Sequence, residues 1–325
     1  MGLKVFIKTL VKKLLLKYYP SFFKTSFYLR LNPPSIFSVE VSLACNLRCP
    51  ECPMGSGAIS RKHEFMSFDR FKIIADKIKP FSNRIEMMYL HIWGEPMLNR
   101  EIIKMIRYAS AFAKTNISTN GLNLTPELSE QLITSGVDTL IVSIDGATQQ
   151  VYEKYRVGGD LEKALASLKL LAELNEKNGR KVSIIPQFIV FKHNQHEISE
   201  FNRICVSMNL TPSFKSPYIR AGSRFENPDD AEYVRKRYDT LEEMKSAMSE
   251  CQDPKKVFTV LIDGTAVACC YDYEGKTAFG NILEQGVMEI WNSPAYLKFR
   301  YDLLNGKPHD YCINNCLMYC MKEKK

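Results

Sequence analysis

Three cysteines, Cys45, Cys49 and Cys52, share one short loop in "SVEVSLACNLRCPECPMGSG", directly after a run that alternates like a β-strand. Thiolates are soft ligands that select zinc, copper(I) or iron-sulfur clusters. A structural zinc site completes four ligands, usually as two paired knuckles, and here only His63 lies near enough in sequence to be a fourth. A [4Fe-4S] cluster held by three thiolates instead keeps one iron free to bind another molecule, much as an open position marks a catalytic metal.

Six further cysteines lie at positions 251, 269, 270, 312, 316 and 320, and Cys205 stands alone inside the helix-like "EISEFNRICVSMN". Cys205 reads as a small buried apolar residue. Ten cysteines without a signal peptide do not suggest a disulfide framework, because a reducing cytosol keeps thiols free; the chain is expected to be cytoplasmic.

The elements that must position these thiols alternate regularly. Strands are expected at "FSVEVSL", "RIEMMYLHI", "KTNISTN", "TLIVSID", "VSIIPQFIV" and "PSFKSPY", with helices near 68–78, 99–112, 125–136, 160–178 and 197–209. Thr125 followed by Pro126 is a helix start, and Gly136 and Gly179 are helix stops. Strands alternating with helices pair in parallel through right-handed crossovers, and chemistry gathers at their C-terminal ends. The cysteine loop lies at the end of the first strand. A polar stretch follows from 219 to 250, and then "FTVLIDGTAVACC" carries a hairpin signal at Asp263-Gly264.

At 325 residues, 45% hydrophobic and 25% charged, the composition is that of an ordinary globular protein. The net charge of +8 is concentrated: Lys4, Lys8, Lys12, Lys13, Lys17, Lys24 and Arg30 all precede the first acidic residue, Glu40. The rest is nearly neutral, so no nucleic-acid partner is expected. On a helical projection residues 3–18 are expected to form a basic amphipathic helix, with Leu3, Phe6, Ile7, Leu10, Val11 and Leu14 on one side. It is too short in apolar run to span a membrane. Either it packs on the body or it is a peripheral anchor at the inner membrane face.

The pattern Cys45-x3-Cys49-x2-Cys52 resembles the signature of radical S-adenosylmethionine (radical SAM) enzymes, and three landmarks fall in order at later strand ends: "GEP" at 94–96, "STN" at 118–120 and "SIDG" at 143–146. The resemblance implies a partial (β/α)6 TIM-like barrel of α/β class. It implies that Cys45, Cys49 and Cys52 hold a [4Fe-4S] cluster whose unique iron binds S-adenosyl-L-methionine. Reductive cleavage would then give a 5'-deoxyadenosyl radical that takes hydrogen from substrate, the electron coming from a reductant such as flavodoxin or ferredoxin. Gly94, Glu95 and Pro96 would receive the methionine amino group, and Ser118 and Asn120 would lie at the ribose. Ser143, Asp145 and Arg156 are further contacts, Arg156 being placed to meet a carboxylate. The family usually has an aromatic residue just before the third cysteine, where this chain has Glu51; pairing of Glu51 with Arg48 would shape the loop.

The C-terminal cysteines resemble the SPASM extension, which carries auxiliary iron-sulfur clusters. At least one auxiliary [4Fe-4S] cluster is implied, with Cys251, Cys269, Cys312 and Cys316 as ligands and Cys320 able to replace one of them; a zinc knuckle is the alternative. The expected organisation is a basic helix over 1–36, a radical SAM core over 37–218, a linker over 219–250 and an iron-sulfur domain over 251–325. The leading expectation for the reaction is oxidation or modification of a sugar, an aminocyclitol or an envelope precursor, on a membrane-associated substrate. The alternatives are maturation of a ribosomally made peptide, by crosslinking or epimerisation, and a non-catalytic electron carrier. Cys205, Cys270 or Cys320 could donate hydrogen in an epimerisation only if it is not a ligand.

Overall fold

The first strand, β1 (Ile36–Val39), holds Phe37, Ser38 and Val39 all buried, as expected for a strand covered on both faces. The computed structural model describes residues 33–220 and 222–322, so the expected N-terminal amphipathic helix lies outside the described residues. From β1 the chain runs through α1 (Phe68–Ile78), β2 (Met87–Tyr89), α2 (Ile102–Ser110), β3 (Thr115–Thr119), α3 (Pro126–Ile133) and β4 (Thr139–Ser143). It continues through α4 (Gln149–Tyr155), α5 (Leu161–Lys177), β5 (Ser183–Ile189), α6 (Ile198–Ser207) and β6 (Ser213–Lys215).

Strands β1 to β6 pair in parallel in chain order, with helices between them. The parallel pairing is the one expected from the alternation, and the partial barrel is the one the resemblance implied. Helix α1 shows why the helices form where they do: Phe71, Ile74, Ala75 and Ile78 recur at helical spacing and are buried, while Ser67 caps the start by accepting from the Arg70 amide. Thr125 caps α3 in the same way, with Pro126 at the first helical position. Gly136 and Gly179 take positive φ, +91° and +78°, just past helix ends. Helix α4, which the sequence reading lacked, delivers Arg156 at its C-terminal cap.

Beyond β6 come β7 (Arg237–Tyr238), α7 (Leu241–Met248), α8 (Asp253–Lys256), β8 (Val257–Val260), β9 (Thr265–Val267), β10 (Gly280–Asn281), α9 (Val287–Trp291), α10 (Pro294–Leu304), α11 (Asp310–Asn315) and β11 (Cys320–Met321). The expected hairpin turns at Asp263-Gly264, where Gly264 has φ +90°. Its strand β8 lies parallel to β1, Ile36 opposite Val257, so one nine-stranded sheet runs in the order β10-β9-β8-β1-β2-β3-β4-β5-β6. The hairpin thereby covers the edge that β1 would otherwise expose. A buried ion pair fixes the junction: Arg61 donates two 2.8 Å hydrogen bonds to Glu40, whose Oε2 also accepts from the Ile262 amide at 3.0 Å. Strands β7 and β11 pair in parallel, tying the polar 219–250 stretch to the C-terminal segment. Among the described residues no helix is long and apolar enough to cross a membrane.

Candidate active site

The C-terminal ends of the parallel strands surround a cavity of about 250 Å³. Cys45, Cys49 and Cys52 all line it, as do Gly94, Glu95, Ser118, Asn120, Ser143 and Arg156. Pro96 and Asp145 do not line it. Pro96 is buried at the start of a single helical turn, and Asp145 lies fully buried, its Oδ2 accepting from Arg156 Nε at 2.5 Å and its Oδ1 from the Ile189 amide at 2.6 Å. The cation expected to meet a cofactor carboxylate is thus already paired, with Nη1 left 4.0 Å from Cys49 Sγ.

Glu95 is similarly engaged. Its carboxylate accepts from the Met97 amide at 3.0 Å, from Thr119 Oγ1 at 2.7 Å and from the Asn120 amide at 2.7 Å. It therefore clamps the end of β2 to the end of β3 beside the thiols. Asn120 in turn donates to Asn46 Oδ1 at 2.8 Å, fixing the residue after Cys45.

The cysteine loop is held by backbone contacts. The Arg48 amide donates to Val157 O at 3.0 Å, and Gly55 packs so closely that a Cβ would lie 2.4 Å from the Cys49 nitrogen. Glu51 does not pair with Arg48 as anticipated. Its carboxylate accepts from the Arg220 amide at 3.0 Å and from the Ser223 hydroxyl, because the chain leaving β6 crosses over the loop and offers these donors to a buried acid.

Burial pushes the Cys45 thiol up to about 11 and the Cys49 thiol up to about 12. Such thiols ionise near neutral pH only when a cation replaces the proton, which is the chemistry of a metal ligand. Among the described residues no three His, Cys, Asp or Glu side chains converge on a single ion's position, and His63 is exposed away from the cavity lining. The donor set fits a cluster in which each thiol meets its own iron.

A second cavity, about 50 Å³, is lined by Cys251, Cys269, Cys312 and Cys316 together. Burial raises all four thiols, Cys251 to about 11 and Cys312 to about 12. Cys320 does not line it; it lies on β11 with its thiol donating to Cys316 O at 3.1 Å. Cys270 does not line it either, and Cys205 is buried within α6. Among the described residues no cysteine besides the loop's three lines the first cavity.

Trp93, Tyr155, Tyr218 and Leu317 also line the first cavity, and the sequence reading did not single them out. Trp93 directly precedes "GEP" and Tyr218 ends "PSFKSPY", so strand-end position was an available signal for both. Leu317 arrives from the C-terminal tail and carries no local signal.

Residues 39–201 match the family model of the radical SAM superfamily, and residues 251–318 that of an iron-sulfur cluster-binding domain. The mycofactocin maturase MftC of Mycolicibacterium smegmatis is 28% identical over 183 residues, 56% of this chain and 44% of that protein. The tungsten-containing aldehyde ferredoxin oxidoreductase cofactor-modifying protein of Pyrococcus furiosus is 27% identical over 297 residues, 81% of this chain and 82% of that one. Among solved structures, Streptococcus suis SuiB bound to precursor peptide SuiA aligns with a TM-score of 0.61 at 14% identity, over 88% of this chain and 70% of SuiB. That likeness is one of fold. The chain spans less than half the length of the mycofactocin maturase.

Proposed function

Since the chain belongs to the radical SAM superfamily and ends in a SPASM-type iron-sulfur domain, we propose that it is a maturase that modifies a peptide. It is an enzyme that uses a [4Fe-4S] cluster and S-adenosyl-L-methionine, with auxiliary iron-sulfur chemistry at its C-terminus. Together, cluster and S-adenosyl-L-methionine supply hydrogen-atom abstraction once an electron is delivered.

In this reading Cys45, Cys49 and Cys52 would hold the cofactor-binding cluster, and Cys251, Cys269, Cys312 and Cys316 an auxiliary one. Gly94 and Glu95 would receive the methionine end, Ser118 and Asn120 the ribose, and Ser143 would border the substrate side. Asp145 and Arg156 would act as a pair beneath Cys49. The walls of Trp93, Tyr155 and Tyr218 would exclude water from the reacting position. Flavodoxin or ferredoxin would be the reductant.

The observation that carries the peptide reading is the likeness to maturases: MftC across the core, supported by a fold neighbour complexed with a precursor peptide. It is favoured over the expected sugar, aminocyclitol or envelope substrate. With no free cysteine on the cavity wall among the described residues, crosslinking fits better than cysteine-quenched epimerisation.

The test is anaerobic reconstitution with dithionite and S-adenosyl-L-methionine, followed by incubation with short peptides encoded beside the gene. A peptide product lighter by two hydrogen atoms, with 5'-deoxyadenosine released in step, is the expected result. Peptides returned unchanged while sugar alcohols are oxidised would overturn it.

A further inference from the structure

A separate cavity of about 340 Å³ lies beside the active site, lined by Lys154, Lys192, His193, Arg224, Phe225 and Glu226. Lys154 comes from α4, after β4, and Lys192 and His193 from the loop after β5, the same strand ends that carry the catalytic cavity. Arg224 and Phe225 come from the segment that crosses the cysteine loop through Glu51.

The cleft is firmly built. Asn194 donates to both Asp145 O and Ile189 O at 3.0 Å and accepts from the Phe191 amide at 2.7 Å, while the Lys192 amide donates to Glu226 O at 3.1 Å. Phe225 packs against Phe191 and Tyr155 with ring centroids 5.1 and 5.6 Å away. Tyr155 also lines the catalytic cavity, so one aromatic wall separates the two spaces.

Lys154, Lys192 and Arg224 line the cleft with a single carboxylate, Glu226. Lys192 pairs with Asp229, but among the described residues neither Lys154 nor Arg224 forms an ion pair; Arg224 lies over the Phe225 ring at 5.3 Å. His193 lines the cleft with both ring nitrogens enclosed and lacking a hydrogen-bond partner. Burial, then the positive charges of Lys154, His196 and Arg224, push it down to about 4, against the opposing pull of Glu197. Clustered like charges are unfavourable, and an oxyanion at this position would offset them.

We propose that this cleft binds an oxyanion, carboxylate or phosphate, carried by a non-reacting part of the substrate, with Lys154 and Arg224 as its principal contacts. The contact lies across the Phe225–Tyr155 ring pair from the catalytic cavity, so it would orient the substrate's reacting part toward that cavity. An acidic side chain of a peptide and a phosphate on a small molecule would both satisfy it. The site does not depend on the peptide reading above.

The experiment follows the His193 ring by NMR in the reconstituted full chain, its signal assigned with His193→Gln, while inorganic phosphate and a glutamate-rich hexapeptide are titrated separately; calorimetry gives the affinities. Binding of at least one probe, raising the His193 pKa by about one unit, is expected, because a bound anion favours the imidazolium. Lys154→Glu with Arg224→Glu should weaken that binding by at least about tenfold. Lys169→Glu, on α5 away from the cleft, should leave it unchanged. The tighter probe tells carboxylate from phosphate. Neither probe moving His193, or Lys169→Glu weakening binding as much as the double variant, would overturn the proposal.

Discussion

Arg156 donates from Nε to Asp145 Oδ2 across 2.5 Å, with Asp145 fully buried and Arg156 12% exposed in its side chain. A buried pair of this kind is costly to break from one side, because the remaining charge keeps its desolvation penalty without its partner. Arg156→Ala should therefore destabilise the protein by about 3–5 kcal/mol. Arg156→Lys should restore only part of this, since a point charge lacks the fork that reaches both Asp145 and the Cys49 sulfur. Urea midpoints of the reconstituted proteins check this, and an unchanged Arg156→Ala midpoint would mean that Asp145 is already protonated in the native state.

The two thiol cavities predict two classes of cysteine variant. Alanine at Cys251, Cys269, Cys312 or Cys316 should remove about four irons per chain, one cluster's worth, while leaving substrate-free release of 5'-deoxyadenosine measurable. Alanine at Cys45, Cys49 or Cys52 should abolish that release. Cys320→Ala should retain full iron, because its thiol lies outside the cavity lining. Iron and sulfide analysis beside product chromatography separates the classes; loss of iron from Cys320→Ala would instead make that thiol a ligand.

Much of this site is legible in the sequence. The strand ends carrying Cys45, Gly94, Ser118 and Ser143 follow from apolar runs punctuated by glycine, proline and capping residues, which are local signals. What could not be read was non-local. Nothing in "VFTV" says that it pairs with "IFSV" more than 200 residues earlier, since pairing partners are chosen by the edge left open rather than by either strand's own pattern. Glu51 shows the same limit. Its oddity was visible in the loop, but its donors, Arg220 and Ser223, come from a crossing segment about 170 residues away.

Gly94 offers a backbone test of the second strand end. Its φ is +84°, and a Cβ there would lie 2.7 Å from Ser42 O and 2.9 Å from Ala44 O, against backbone that cannot yield cheaply. The adjacent Glu95 amide donates to the same Ala44 carbonyl at 2.7 Å. Gly94→Ala should cost about 2 kcal/mol or more and weaken S-adenosyl-L-methionine binding, as measured by thermal melting and equilibrium dialysis. If melting temperature and binding both stay unchanged, this contact does not constrain the strand end.

His91 sets an acid limit on stability. It follows β2 with Nδ1 enclosed and unpartnered, and burial pushes it down to about 4 from an ordinary 6.5, with the Asn116 backbone opposing. The unfolded chain therefore takes up a proton on this ring as pH falls through 6.5, while the folded chain resists until about 4. Stability should be free of this penalty above pH 6.5 and decline between there and pH 4, by up to about 3 kcal/mol from this ring. The buried acids Glu40, Glu95 and Asp145, raised above their ordinary values chiefly by burial, act in the opposite sense over part of that range. Comparing wild type with His91→Gln isolates the histidine. The variant's urea midpoint should fall less steeply than wild type between pH 7 and pH 5, by one proton's worth of slope at most. Parallel curves would show that His91 titrates alike in both states, and a steeper variant would reverse the assignment of its neutral form to the fold.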